Sequence, residues 1–163
     1  MLAPIPGHPR PSMNLLGRIL YAEDNAHDVE LTLSALAESH LANEVVVVGD
    51  GAEALDYLYL RGRFKDRRKG NPTLVLLDLK MPKVTGLEVL AAIKQDEKLR
   101  AIPVVILTSS QEEQDLARSY ALGVNSFVLK PVGFEGFMDA VKKLGIYWAL
   151  VNQAPLGSLE PRP

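Results

Sequence analysis

Five side chains in this sequence stand where short apolar runs end. Glu23 and Asp24 follow Ile19-Leu20-Tyr21-Ala22, Asp78 closes Leu74-Val75-Leu76-Leu77, Thr108 closes Val104-Val105-Ile106-Leu107, and Lys130 follows the run from Ser126 to Leu129. Strand ends normally carry the turn formers Gly, Ser or Asn, so polar and mostly charged groups at four such ends are informative. Three carboxylates brought together repel one another and raise each other's pKa unless a cation sits among them. The carboxylates bring −3, Lys130 brings +1, and a divalent metal of +2 would take the sum to zero. Oxygen ligands without His or Cys select Mg²⁺, or Mn²⁺, over zinc. A hard metal beside a carboxylate, a hydroxyl and an amine is equipped to receive a phosphoryl group. The metal bridges phosphoryl oxygens, the amine balances developing charge, and the carboxylate can attack phosphorus to give an acyl phosphate.

Such a cluster forms only if the runs are parallel strands sharing one sheet. Val45-Val46-Val47-Val48, Leu74 to Leu77 and Val104 to Leu107 are continuously apolar and partly β-branched, as strands covered on both faces must be. Amphipathic stretches separate them: Ala26 to Ser39, Ala52 to Leu60, Gly86 to Lys94, Glu112 to Leu122 and Gly133 to Trp148. Asp50 with Glu53, Thr85 with Glu88 and Ser110 with Glu113 each place an acid three positions after a cap residue, which marks helix starts. Strand and helix repeated five times predict an α/β domain, a doubly wound parallel sheet with right-handed crossovers. In such a sheet ligands bind beyond the carboxyl ends of the strands, where these five side chains stand.

Seven of the 11 prolines lie outside Asn14 to Asn152. Residues 1–13 read as a disordered Pro-rich tail, 14–144 as the domain, 145–152 as an apolar extension of the last helix, and 153–163 as a flexible tail. The 139 residues between the Pro-rich ends suit one domain, which buries about 68–70% of its unfolded surface. Without cysteine there is no disulfide and no thiolate chemistry, and the longest apolar runs are too short to span a bilayer. A soluble cytoplasmic protein is expected. The formal charge of −2 gives no global reason to expect nucleic acid or membrane as partner.

Glu23-Asp24-Asn25, Leu76-Leu77-Asp78-Leu79-Lys80-Met81-Pro82, Thr108-Ser109 and Lys130-Pro131 together resemble the receiver domain of two-component response regulators, in order and spacing from Arg18 to about Lys143. The resemblance implies a five-stranded flavodoxin-like sheet ordered 2-1-3-4-5. It implies phosphorylation of Asp78 by a histidine kinase, and Mg²⁺ held by Glu23, Asp24, Asp78 and the main-chain carbonyl of Lys80. Thr108 would bind the phosphoryl group, Lys130 would hold its charge, and the Lys130-Pro131 peptide would be cis. Such a protein is a phosphoacceptor that assists its own phosphorylation and dephosphorylation, not an enzyme with a separate substrate. Thr108 and Phe127 would form the switch pair, the ring turning into space that Thr108 vacates. Many receivers have tyrosine there, and Phe127 has no hydroxyl; a ring fixed in the core is the plain alternative. Thr85 also departs from the acid or asparagine of many relatives, but as a helix cap it is neutral for chemistry.

Phe134, Phe137, Tyr147-Trp148 and Asn125-Ser126-Phe127 are similar to single-domain receivers that work with bacterial phytochromes, many of them homodimers. That narrower resemblance implies a phytochrome-type histidine kinase upstream and an unidentified protein downstream. Ile146, Tyr147, Trp148 and Leu150 read either as a helix end folded on its own core or as an apolar contact between two subunits. The segment from Arg61 to Gly70 carries six basic residues and one acid, +5 against −7 for the rest. It reads as a solvated loop or as a dock for an acidic partner; with one aromatic and no recognition helix it is not a nucleic-acid site. His8, His27 and His40 are too dispersed for a metal. A dehalogenase-type phosphatase would need an acid where Lys80 stands. A flavodoxin would not place Glu23 and Asp24 against a phosphate. A degenerate receiver acting only as an interaction module would lack a site residue, and none is missing.

Overall fold

The computed structural model describes residues 18–39, 44–109, 111–120, 123 and 126–145. They form β1 (Arg18–Ala22), α1 (Ala26–Ser39), β2 (Glu44–Val48), α2 (Gly51–Leu58), a 3-10 turn (Gly62–Phe64), β3 (Leu74–Asp78), α3 (Gly86–Gln95), β4 (Val104–Thr108), α4 (Gln111–Tyr120), β5 (Ser126–Leu129) and α5 (Phe134–Lys143). All strand pairs are parallel, in the order β2-β1-β3-β4-β5. This is the doubly wound topology and strand order expected from the sequence.

Period-2 alternation divides each strand between two cores. Leu20, Val75, Leu77, Val104 and Ile106 pack against α2, α3 and Ala117 of α4. Ile19, Tyr21, Leu74, Leu76, Val105 and Leu107 pack against α1 and α5, with Phe137 and Val141 fully covered. Burial on both faces explains why these strands are apolar throughout.

The helix ends refine the sequence reading. The α2 helix starts at Gly51, capped by Asp50, whose carboxylate accepts from Glu53 N–H at 2.8 Å. It stops at Leu58, two residues earlier than expected, because Leu60 is left-handed (φ +53°) and the chain turns into Gly62–Phe64. At α3 the capping box of Thr85 and Glu88 is complete. The α5 helix is described to Lys143, where Gly145 takes φ +69° and its N–H donates to Lys142 O at 3.1 Å, a glycine stop. Residues 146–152, including Ile146, Tyr147, Trp148 and Leu150, lie outside the described residues, as do Ser110, Asn125 and both Pro-rich ends.

Candidate functional site

The carboxyl ends of β1, β3, β4 and β5 meet along one rim. Register places Ala22 beside Leu77, Asp78 beside Leu107, and Thr108 beside Leu129, so the strand ends lie level along one edge of the sheet. Gly86 permits the crowding: a Cβ there would lie 2.1 Å from the Asp78 carbonyl oxygen, so only glycine lets α3 begin against the end of β3. On the other side Asn25 caps α1, its Oδ1 accepting from the N–H groups of His27 and Asp28 at 2.9 and 3.1 Å. Tyr21 fixes this helix from below, donating its hydroxyl to Thr32 Oγ1 at 3.0 Å.

Lys130 stands at the centre. Its Nζ lies 2.8 Å from Glu23 Oε2, 3.1 Å from Asp78 Oδ1 and 3.1 Å from Asp28 Oδ2. The Lys130-Pro131 peptide is cis. Glu23 and Asp78 are buried, whereas Asp24 is exposed. Carboxylate oxygens of Glu23, Asp24 and Asp78 all lie within 4.8 Å of one another. The site is therefore closed below and open on the Asp24 side.

Burial pushes Glu23 up to about 7, against the hydrogen bond from Lys130; the Asp78 charge adds to the rise. Asp78 is raised as well, by burial, although Lys130 pulls it back. Burial alone would lower Lys130, but its bonds to Glu23 and Asp28 and the Asp78 charge hold it well above the ordinary lysine value. One cation thus faces four carboxylates, one more than the sequence suggested, because Asp28 joins from the first turn of α1. A divalent cation fits this arrangement: the oxygen donors converge, are hard, and carry surplus negative charge.

Thr108 is fully buried at the end of β4, on the strand face that also carries Val104 and Ile106. Phe127, opposite Ile106, packs partly buried against that same core. The Thr108 hydroxyl donates to Glu113 Oε2 at 3.0 Å, and Ser109 N–H donates to the same oxygen at 3.2 Å. Glu113 Oε1 pairs with Lys80 Nζ at 2.7 Å. The Lys80 bond, with help from Thr108 and Ser109, holds Glu113 below the usual carboxylate range despite its burial. Lys80 follows β3 in the rim loop, and its side chain is turned toward α4. The sequence reading missed Asp28 and Glu113, since an acid in a first helical turn already has a local explanation in the helix dipole. An acid four positions after Asp24 on the same helix end was the available signal for Asp28.

The basic segment differs from a purely solvated loop. Arg67 is half-buried: its guanidinium lies 3.9 Å from the Tyr57 ring centroid, and its Nε donates to Tyr57 O at 2.8 Å. Arg18, almost fully buried, donates from Nη1 to the Tyr57 hydroxyl at 3.1 Å. Arg61, Arg63 and Arg68 are exposed and paired with Asp56, Glu53 and Glu44. No helix among the described residues is long and apolar enough to cross a membrane.

A five-stranded parallel sheet of order β2-β1-β3-β4-β5 with an acid cluster and a lysine at its carboxyl rim is the architecture of receiver domains. Residues 19–142 match the response regulator receiver domain, and the chain belongs to that family. It is 42% identical over 137 residues to the probable methanogenesis regulatory protein FilR2 of Methanothrix harundinacea (strain 6Ac), covering 84% of this chain and 86% of that one. Among solved structures, the bacteriophytochrome response regulator RtBRR is 57% identical with a TM-score of 0.80, covering 88% of this chain and 86% of the other. The Mn²⁺-bound form of response regulator Rcp1 is 35% identical with a TM-score of 0.65, covering 85% and 99%.

Proposed function

We propose that this chain is a single-domain response regulator that accepts a phosphoryl group on Asp78 from a histidine kinase and signals through altered protein contacts. The observation that carries this reading is the Asp78 carboxylate, buried with Oδ1 3.1 Å from Lys130 Nζ and flanked by Glu23 and Asp24 on the open side of the rim. An oxygen of Asp78 attacks phosphorus. The bond from phosphorus to the kinase imidazole nitrogen breaks, and that nitrogen keeps the electron pair. Glu23, Asp24, Asp78 and the Lys80 carbonyl would hold Mg²⁺, or Mn²⁺ as in the Rcp1 structure. When bound, the ion screens the carboxylates from the incoming phosphoryl oxygens. Lys130 is already charged and positioned to balance an oxygen of the product, so it need not reorganise. The Thr108 hydroxyl would bind another phosphoryl oxygen, and Phe127 follows the space that Thr108 leaves.

The 57% identity to RtBRR supports a bacterial phytochrome as the cognate kinase. A cytoplasmic homodimer with an apolar contact at Ile146, Tyr147, Trp148 and Leu150 completes the reading. The test of the acceptor is intact mass after incubation with acetyl phosphate and Mg²⁺. Wild type gains one phosphoryl group, Asp78→Asn gains none, and chelation of the metal abolishes the gain. A wild type that stays unmodified, or an Asp78→Asn variant modified equally, overturns the assignment.

A further inference from the structure

The Thr108 hydroxyl has one proton, and it is given to Glu113. This matters because the proposed function, on which this inference rests, requires the same proton at a phosphoryl oxygen. Glu113 divides its two oxygens between two groups of partners. Oε2 takes Thr108 Oγ1 at 3.0 Å, Ser109 N–H at 3.2 Å and Ser109 Oγ at 3.3 Å, while Oε1 takes Lys80 Nζ at 2.7 Å. The acceptor side of this network is buried: the Glu113 side chain is 11% exposed and Thr108 is fully covered. Its outer end is open, with the Lys80 side chain 82% exposed.

A bond from a hydroxyl to an ionised, buried carboxylate is among the stronger hydrogen bonds in a protein. Thr108 therefore does not begin as an idle group waiting for its ligand. We infer that Glu113 is a positioning residue that latches Thr108 in the unmodified protein, competing with the phosphoryl group for the Thr108 proton. Lys80 and Ser109 fix the Glu113 carboxylate so that the latch does not drift. Each phosphoryl-binding event must break one charge-assisted hydrogen bond before it makes another. The network thus biases the protein toward its unmodified form and lowers the occupancy reached at a given phosphodonor level.

The test is a beryllofluoride titration of the full chain at fixed Mg²⁺, followed by NMR. Glu113→Ala is expected to tighten half-saturation about five- to ten-fold, the loss of a competing bond to a charged acceptor. Glu113→Gln keeps an acceptor oxygen but loses its charge and its Lys80 pair, so it tightens binding less. It also serves as the measurement should the alanine variant fail to fold. Combining Glu113→Ala with Thr108→Val separates a latch from a merely structural acid. In the Thr108→Val background the Glu113 substitution should leave affinity within about two-fold, because the competing hydroxyl is gone. Three-bond couplings of the Thr108 methyl, recorded without metal or analogue, should show one rotamer in wild type and averaging in Glu113→Ala.

Unchanged or weaker binding in the Glu113 variants, an undiminished effect with Thr108→Val, or a Thr108 rotamer indifferent to Glu113 each overturns the latch. If wild type binds beryllofluoride and the Glu113 variants do not tighten it, the latch falls and the phosphoacceptor reading stands. Wild type that binds no beryllofluoride removes both.

Discussion

Two groups of cations are buried at opposite ends of the sheet, and they are compensated in different ways. At the carboxyl rim Lys130 is surrounded by Glu23, Asp28 and Asp78, with Asp24 beside them. At the amino end Arg18 and Arg67 surround Tyr57 and use its hydroxyl, its carbonyl and its ring, with the carbonyls of Arg68 and Gly70 as further acceptors, while Arg18 Nε and Nη2 and Arg67 Nη2 are buried without a hydrogen-bond partner. Glu44 stands at the edge, 4.0 Å from Arg18 Nε. Guanidinium is planar and weakly hydrated, so carbonyl dipoles and an aromatic face suffice to hold it. The compact ammonium of Lys130 instead sits among carboxylates that outnumber it. A cage of carbonyl dipoles and a ring carries no surplus negative charge to offer a metal ion. A cage with surplus negative charge is completed from outside, which is what a metal-dependent acceptor requires.

The largest expected effect tests the amino end as a purely structural cage. Tyr57→Ala removes a buried ring that lies under Arg67 and meets Phe64 edge-on at 5.1 Å, and it leaves Arg18 without its hydroxyl partner. The expected loss is about 4 kcal/mol in urea unfolding. The folded fraction should keep wild-type Mg²⁺ affinity. A change in metal affinity would mean that the two ends are coupled and would break the comparison.

Next in size is Lys130→Met, expected to cost about 3 kcal/mol in metal-free buffer because it strands Glu23 and Asp78. Saturating Mg²⁺ should recover more stability in this variant than in wild type, since the ion then meets four carboxylates with no competing ammonium. Unfolding curves with and without Mg²⁺ read both quantities. An equal Mg²⁺ increment in the two proteins would show that the surplus charge is already neutralised by solvent.

These contrasts bear on how much of the molecule could be read in its sequence. The parallel sheet was legible because β3 and β4 are apolar on both faces, its strand order followed from the resemblance to receiver domains, and Glu23, Asp24, Asp78, Thr108 and Lys130 stood out because they sit at strand ends. Phe127 was placed on the right strand, and its ring packs against the α2, α3 and α4 side of the sheet. The end of α2 was not readable, since nothing in Tyr59-Leu60 announces a left-handed leucine. Glu113 was read as the acid of a capping box with Ser110. Ser110 lies outside the described residues; the Glu113 carboxylate takes Thr108, Ser109 and Lys80, and Lys80 comes from a loop 33 positions earlier in the chain. The Arg18 to Tyr57 bond spans 39 positions, beyond any local pattern. Long-range polar pairing was the part that local reasoning could not supply.

A smaller effect, on the order of 1–2 kcal/mol because Glu23 and Asp78 share Lys130 and solvent screens the Asp24 side, lies in the pH dependence of the rim. Glu23 rises from 4.5 to about 7 on folding. Between those values the folded chain binds more protons than the unfolded one, so in metal-free buffer stability falls as pH rises through this window. Glu23→Gln should flatten that slope. Saturating Mg²⁺ should flatten it as well, by favouring the ionised carboxylate. A slope that survives Glu23→Gln would assign the proton to Asp78 or elsewhere.

The smallest effect separates the exposed part of the basic segment from its buried part. Arg63 is 59% exposed, with its Nη2 3.2 Å from Glu53 Oε1 and its guanidinium 4.4 Å from the Phe64 ring centroid. An exposed ion pair contributes roughly 0.2–1 kcal/mol, and a surface cation over a ring adds a similar amount. Arg63→Ala should therefore cost about 0.5 kcal/mol or less at moderate salt, and less still as salt is raised. Arg67→Ala, only four residues on, removes three backbone contacts and the stack on Tyr57, and should cost several times more with little salt dependence. Unfolding of both variants at low and high ionic strength decides the matter. Similar losses with similar salt dependence would mean that the segment behaves as one solvated loop, and the buried arginines would no longer form a separate structural cage.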